Sequence, residues 1–233
     1  MRLKSTEIRK HLYSTMQSTK ELWDRAYESR SAESLSWYQE HARLSLRWIR
    51  EAGVACDAPI IDIGSGASTL VDDLLAAGYP NITILDISSS ALATAKKRLG
   101  PASEPVRWIQ ADITQALLDE HAYEVWHDRA VFHFLDSRLE RQRYVDRVYR
   151  AVRPEGHVIV AVFALDGPER CSGLPAARYS PETLYAEFGE SFELVRHERE
   201  LHQTPSGIIQ PFIYCHFRKI RLHPIPEKHQ SRQ

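Results

Sequence analysis

The chain has 233 residues, of which 43% are hydrophobic and 26% charged, and its 30 Lys and Arg nearly balance 31 Asp and Glu. This length and composition suit one α/β-sized domain with a short appendage. A net charge of -1 gives no global field that would attract nucleic acid or a membrane surface. We therefore expect neither as a partner.

The sequence shows no sign of secretion or of membrane insertion. Residues 1–17 lack the apolar run of a signal peptide, and no stretch of about 18 apolar residues occurs. Cys56, Cys171 and Cys215 are far apart and form no CxxC pair, which indicates neither a disulfide framework nor a zinc knuckle. These features predict a cytoplasmic protein without a metal site, and they leave the oligomeric state open.

The N-terminal part has a helical pattern. Apolar side chains recur at spacings of three and four over 19–52, and Ser31 and Glu33 give a weak cap signal for a second helix. We expect residues 1–52 to form a helical lid segment and 53–220 the main domain. The polar tail 221–233 is expected to be disordered.

From Pro59 onward, strand and helix patterns alternate. Strands are predicted at 59–63, 82–85, 106–109, 123–126 and 157–163, and helices at 67–77, 88–99 and 138–152. Near the end, 192–201 and 208–217 flank a Thr-Pro-Ser-Gly turn and indicate an antiparallel hairpin. The order predicts an α/β fold, a doubly wound and mostly parallel sheet with helices on both faces.

The segment after the first strand, Asp62-Ile63-Gly64-Ser65-Gly66, is the central motif. Ligands of open parallel sheets bind beyond the carboxyl ends of the strands, where glycine permits a tight turn and a close backbone approach. A dinucleotide fingerprint would need a further glycine at Thr69. Asp62 would repel a pyrophosphate but attract a cation such as the α-ammonium of S-adenosylmethionine. The motif favours that cofactor over NAD, with a glycine turn that binds nothing as the alternative.

Two further acidic residues follow strands. Asp86 could accept hydrogen bonds from both hydroxyls of a ribose. Asp112 could accept one from the adenine amine, with Ile87 and Ile113 on either side of the ring. Each carboxylate could instead cap a helix, although Ser88 is the better cap after Asp86.

Four short motifs occur in the order and spacing of class I S-adenosylmethionine-dependent methyltransferases. They are Asp-Ile-Gly-Ser-Gly, Leu-Asp-Ile-Ser, Gln-Ala-Asp-Ile and Arg-Pro-Glu-Gly. The chain resembles this family over about 58–218, with Ala67 as a mild departure where many members have Thr or Gly. The resemblance implies a seven-stranded sheet of order 3-2-1-4-5-7-6 with strand 7 antiparallel. It also implies S-adenosylmethionine as cofactor and S-adenosylhomocysteine as product.

The end of the fourth strand would face the methyl group. His127 is expected beside the cofactor, and Asp128, Arg129 and His133 are expected to be catalytic, the last two also contacting substrate. An ion pair and a packed histidine are the structural alternatives. The segment lacks the motifs of DNA amino-methyltransferases and of protein arginine methyltransferases. His121, His127 and His133 share no helix face, so no metal site is predicted.

Two segments could cover the site. Residues 164–179 form a long connection that would bring Cys171, Arg178 and Tyr179 to the substrate. Trp23 and Tyr27 lie one helical turn apart and could close over the sulfonium by cation–π contact. Ordinary helix packing would produce the same aromatic spacing.

These observations predict transfer of a methyl group to a small-molecule acceptor in an enclosed pocket. The segments around Trp23, His127 and Cys171 resemble a bacterial group of small methyltransferases. That resemblance implies a thiol or hydrosulfide acceptor, and a thiolate needs no base. Three alternatives stay open. One is a protein lysine methyltransferase, since members of that group share the early Trp-Asp. The others are a non-catalytic module that binds S-adenosylmethionine and an NAD-dependent dehydrogenase.

Overall fold

The structure is a computed structural model and describes residues 19–221. Its centre is one seven-stranded sheet. The strands of this sheet are β1 (Ile60–Ile63), β2 (Ile82–Asp86), β3 (Arg107–Gln110), β4 (Tyr123–Arg129), β5 (Val152–Phe163), β8 (Phe192–Gln203) and β9 (Ile209–Lys219). Two-residue strands β6 (Arg170–Cys171) and β7 (Leu174–Pro175) form a separate small hairpin.

The strand order is β3-β2-β1-β4-β5-β9-β8. Strands β1 to β5 pair in parallel, whereas β9 is antiparallel to both of its neighbours. If the two strands of the small hairpin are left out of the numbering, β8 becomes strand 6 and β9 becomes strand 7. The order is then the expected 3-2-1-4-5-7-6 with an antiparallel seventh strand. The predicted fold class and topology are confirmed.

Helices cover both faces of the sheet. They are α1 over 19–29, α2 (Arg43–Glu51), α3 (Leu70–Ala76), α4 (Ser89–Leu99), α5 (Arg138–Ala151) and α6 (Pro181–Phe188). One buried cluster joins the sheet to α5 and α6, and a second joins its other face to α2, α3 and α4. No helix of the described part of the chain is long and apolar enough to span a membrane.

The N-terminal region departs from the helical expectation. After α1 a 3-10 turn spans Ala32–Ser34, and the chain is irregular up to Ala42, so the prediction of helix through 35–42 was wrong. Tertiary hydrogen bonds hold this stretch: the Thr69 hydroxyl donates to the Gln39 carbonyl, and the Ala42 N–H donates to Asp73. Such contacts outweigh a periodic pattern of apolar side chains.

Two smaller differences lie at the ends of elements. The alternative that Asp112 caps a helix is not met, since only a turn follows it, over 113–115. The expected disordered tail falls almost wholly on 222–233, outside the described residues.

Candidate active site

A cavity of about 500 Å³ lies beyond the carboxyl ends of the parallel strands. Its size is within the roughly 300–1,000 Å³ of ordinary small-molecule sites. The cavity is lined by many of the residues that the sequence analysis placed at the site. These are Trp23, Tyr27, Gly64, Asp86, Ile87, Asp112, Ile113, Arg129 and Cys171. The fold therefore brings together residues that are more than 140 positions apart in the chain.

Both glycines of the central motif are required by the shape of their surroundings. Gly64 and Gly66 have φ angles of 57° and 56°, which L side chains rarely adopt. A Cβ atom on Gly64 would lie 1.9 Å from Val131 Cγ2, and one on Gly66 would lie 2.0 Å from the Tyr27 hydroxyl. The turn after β1 is thus packed directly against the far cavity wall and against helix α1.

Asp86 ties this turn to the end of β2. Its Oδ2 accepts the Gly66 N–H at 2.7 Å, and its Oδ1 accepts the Ser88 N–H at 2.7 Å. Burial raises the pKa of Asp86 to about 6, against the lowering effect of these two N–H donors and with further increases from Asp62 and Asp24. A buried carboxylate at the cavity wall is suited to accept hydroxyl donors from a ligand.

Asp112 also lines the cavity, as do Ile87 and Ile113. Asp112 Oδ1 accepts both the N–H and the hydroxyl of Thr114 at 2.8 Å. The carboxylate thus fixes a tight turn after β3, and the two isoleucines add apolar surface to the cavity lining.

A smaller cavity of about 40 Å³ adjoins the first and is bordered by Asp62, Ser65, His127 and Ser45. Asp62 Oδ1 lies 2.6 Å from His127 Nδ1, but Asp62 Oδ2 and Ser65 Oγ are buried and have no hydrogen-bond partner among the described residues. An orphaned buried carboxylate oxygen is costly unless a donor reaches it. The unpaired oxygens of Asp62 and Ser65 can accept hydrogen bonds. They therefore fit a cationic group, such as the α-ammonium of S-adenosylmethionine.

Arg129 is held rigidly where the two cavities meet. Its guanidinium donates to the Tyr214 hydroxyl at 3.1 Å, the Trp37 carbonyl at 3.2 Å and Glu200 at 3.1 Å, and it lies 4.4 Å from the centroid of Phe212. The guanidinium is therefore part of a largely buried ion pair with Glu200 at the cavity wall.

Asp128, expected to be catalytic, borders neither cavity. Side chains alternate along a strand, so His127 and Arg129 face α2 and α3 whereas Asp128 faces α5. Its carboxylate accepts the Tyr144 hydroxyl at 2.5 Å and the Val131 N–H at 2.9 Å. Burial raises its pKa to about 6, although these hydrogen bonds act in the opposite direction. The geometry gives Asp128 a role in fixing the turn after β4.

His133 is a core residue. Its Nδ1 accepts the Phe163 N–H at 3.2 Å, and its ring packs with Phe134 and Phe163 at centroid distances of 4.5 and 4.4 Å. Burial, and secondarily the charge of Arg129, lowers its pKa to about 3, so the ring is neutral near pH 7. The expectation that His133 reaches the substrate is not met, since it lines neither cavity.

The long connection after β5 brings only one of its three expected residues to the cavity. Cys171 lines it, with Sγ 3.9 Å from the Ser36 hydroxyl. Burial raises the pKa of this thiol, which makes it a lining group rather than a nucleophile. Arg178 instead pairs with Glu169 at 2.9 Å, and Tyr179 packs on the Phe132 ring away from the cavity.

An aromatic cover closes the other side. Trp23 contacts Trp37 and Phe134 edge to face, at centroid distances of 5.6 and 5.2 Å. The Trp37 indole N–H donates to the Tyr27 hydroxyl at 3.2 Å. Trp37 and Phe134 were not among the predicted site residues, because only the fold places them beside Trp23.

Helix α1 is fastened to the loop that follows Asp86. Asp24 Oδ1 accepts the Ser88 hydroxyl at 2.7 Å and the Ser90 N–H at 3.2 Å, and Glu28 accepts the Ser90 hydroxyl at 2.8 Å. Burial raises the pKa of Asp24, but its hydrogen bonds outweigh this effect and bring it to about 2. The carboxylate is therefore ionised at the N-terminus of α4, where negative charge is favourable.

Comparisons with known proteins agree with this arrangement. A methyltransferase domain matches residues 61–160. The structure is similar to Burkholderia thailandensis 1,6-didemethyltoxoflavin-N1-methyltransferase with bound S-adenosylhomocysteine, at a TM-score of 0.65 and 19% identity, over 95% of this chain and 92% of that one. Another similar structure, from work on the conversion of a disulfide bond into a thioacetal group during echinomycin biosynthesis, has a TM-score of 0.69 and 18% identity over 87% and 92%.

Among curated proteins, human EEF1A lysine methyltransferase 2 is 23% identical over 192 residues, which are 76% of this chain and 75% of that protein. An uncharacterized methyltransferase of Mycobacterium tuberculosis is 31% identical over 105 residues, which are 45% of this chain and 50% of that protein. The matched methyltransferase domain and the shared fold support assignment to the class I S-adenosylmethionine-dependent methyltransferases. They also support S-adenosylmethionine as the cofactor.

Proposed function

We propose that this methyltransferase acts on a small acceptor, which binds beneath the aromatic cover of Trp23, Trp37 and Phe134. The observation that carries the proposal is the position of helix α1, which lies along the cavity and is fastened to the loop after Asp86. A cavity of about 500 Å³ with these aromatic rings in its lining has the size of an ordinary small-molecule site. Residues 19–52 would then belong to the lid of a domain that spans 53–220, and residues 1–18 of the expected lid lie outside the described residues.

In this proposal the wall residues hold the cofactor in an extended orientation. Asp86 accepts the ribose hydroxyls, Asp112 accepts the adenine amine between Ile87 and Ile113, and Asp62 accepts the α-ammonium. S-adenosylmethionine supplies a methyl group already activated by its sulfonium. The protein's contribution is alignment of the acceptor and exclusion of water.

The acceptor that best suits this site is a small thiol or hydrosulfide. Two of the residues expected from the sequence to be catalytic, Asp128 and His133, are turned into the core. A thiolate reaches the site already deprotonated and needs no base.

A protein lysine is the second candidate acceptor, and the curated lysine methyltransferase relatives favour it. A lysine side chain would have to enter past the cover, and its ammonium would have to lose a proton before transfer. The aromatic rings could accommodate that cation. The aromatic rings of Trp23, Trp37 and Phe134 over the cavity argue for the small acceptor.

Two measurements test the proposal. Calorimetric titration with S-adenosylmethionine and S-adenosylhomocysteine, with NAD as control, tests the site. Release of S-adenosylhomocysteine is then followed against sulfide, small thiols, amines, phenols and a lysine-containing elongation factor. Turnover on a small thiol, increasing with pH toward the thiol's pKa, supports the proposal. Turnover only on the protein would establish the second candidate, and binding without any turnover would indicate a non-catalytic module.

A further inference from the structure

An unbroken hydrogen-bonded chain connects Arg129 to Asp62 along the smaller cavity. Arg129 Nε lies 3.1 Å from the Tyr214 hydroxyl, which lies 3.2 Å from the Ser45 hydroxyl. Ser45 Oγ lies 2.8 Å from His127 Nε2, and His127 Nδ1 lies 2.6 Å from Asp62 Oδ1. The three residues between Arg129 and Asp62 are at most 2% exposed.

The two ends of this chain have a fixed hydrogen-bond direction. Arg129 has only N–H groups, so the Tyr214 hydroxyl accepts from it. A carboxylate oxygen accepts, so His127 Nδ1–H donates to Asp62 Oδ1. The Ser45 hydroxyl lies between them and occupies His127 Nε2. Both ring nitrogens of His127 are therefore engaged within the chain.

The chain ends on a carboxylate that is only half satisfied. Asp62 Oδ1 receives the His127 N–H, whereas Asp62 Oδ2 is buried beside the 40 Å³ cavity with no partner among the described residues. A carboxylate held by one oxygen cannot turn freely, so the position of its second oxygen is fixed as well. In the same way, a side chain that binds a ligand is commonly oriented by a hydrogen bond from a neighbouring residue.

We infer that His127, with Ser45 and Tyr214 behind it, is a positioning residue that reserves Asp62 Oδ2 for the amino-acid group of the cofactor. The inference rests on the cofactor being S-adenosylmethionine. Neither ring nitrogen of His127 is free to contact the cofactor, so His127 acts on it through Asp62. The chain determines whether the protein distinguishes ligands that carry an α-ammonium from ligands that lack one.

The test compares two ligands that share the adenosine and the thioether. S-adenosylhomocysteine carries the amino-acid group, and 5′-methylthioadenosine lacks it. For His127→Phe we expect the Kd of S-adenosylhomocysteine to rise by about tenfold or more, because a charged hydrogen-bond acceptor loses its donor. The Kd of 5′-methylthioadenosine should stay the same. His127→Asn, whose amide N–H can still donate to Asp62, should recover most of the lost affinity.

Tyr214→Phe interrupts the chain without removing a buried ring, so it serves where His127→Phe does not fold. It should weaken S-adenosylhomocysteine selectively but less than His127→Phe. The matched control is Tyr144→Phe, which removes another buried hydroxyl on the opposite face of the sheet. The control should change neither Kd.

Equal weakening of both ligands in the His127 and Tyr214 variants would overturn the inference, because it would mean a general structural role. No change for either ligand would overturn it as well. A wild-type protein that binds neither ligand would instead contradict the cofactor site itself, and this result is distinct from the other two.

Discussion

Lowering the pH from 7 to 5 is expected to weaken the binding of S-adenosylhomocysteine, and Asp86 is the reason. Its pKa in the ligand-free protein is about 6, raised from an ordinary value of 3.8 chiefly by burial. Ribose hydroxyls need the ionised carboxylate as acceptor, so below pH 6 the bound proton must first be lost. The Kd should then rise by about tenfold per pH unit below the pKa. A carboxyl with the ordinary value would give almost no change over this range.

The substitution Asp86→Asn isolates this effect. At pH 7 it should weaken binding by about one to two orders of magnitude, the loss of roughly two charge-assisted hydrogen bonds. The variant should also abolish the change of Kd between pH 5 and pH 7. Asp119→Asn, which removes a surface carboxylate 81% exposed at its side chain, is the control and should keep the wild-type pH profile.

Calorimetry at intervals of about half a pH unit gives the profile, and circular dichroism at each pH confirms that the protein is folded. A wild-type Kd that is constant from pH 5 to pH 7 would refute the reasoning. A wild-type slope retained in Asp86→Asn would assign the titration to another group.

Three further predictions concern the parts that surround Asp86. Gly66→Ala should weaken S-adenosylhomocysteine binding at least tenfold by calorimetry, because the added Cβ would displace Tyr27. A Kd equal to wild type would show that the cover adjusts freely. Asp128→Asn should lower the free energy of unfolding in urea by about 1–3 kcal/mol and leave the Kd unchanged. A variant of wild-type stability that has lost turnover would instead show that Asp128 takes part in catalysis. Asp24→Ala should release α1 from α4. The release is detected as faster limited proteolysis near residues 29–31 and as weaker ligand binding. Unaltered cleavage would contradict the fastening of α1 to α4.

The sheet and its cofactor edge could be predicted because their signals are local. Short, largely apolar runs such as Ile60–Ile63 indicate buried parallel strands, and a carboxylate at the end of a strand or directly after it must lie at the carboxyl edge of the sheet. Asp62, Asp86 and Asp112 therefore reached the cavities as expected. Their spacing in the chain was enough to predict this position, because the fold repeats the same strand-to-helix turn.

The acceptor side was harder to predict. One error was avoidable: alternation along β4 already separates Asp128 from His127 and Arg129, so the three could not converge on one site. The inward turn of His133 was not available from spacing, since it depends on packing against Phe163 from a different strand. The same holds for Tyr179, whose position follows from its contact with Phe132.

The sequence by itself determined the alternation of strands and helices, the glycine turn and the acids at the strand ends, because each depends on neighbours a few residues away. Only the tertiary structure decided which polar groups meet. Ser45 and Tyr214 are 169 residues apart and share a hydrogen bond, and Trp37 reaches Trp23 through a segment whose local pattern is helical but whose structure is not. Burial forces each of these groups to find a partner, and long-range packing determines which partner is within reach.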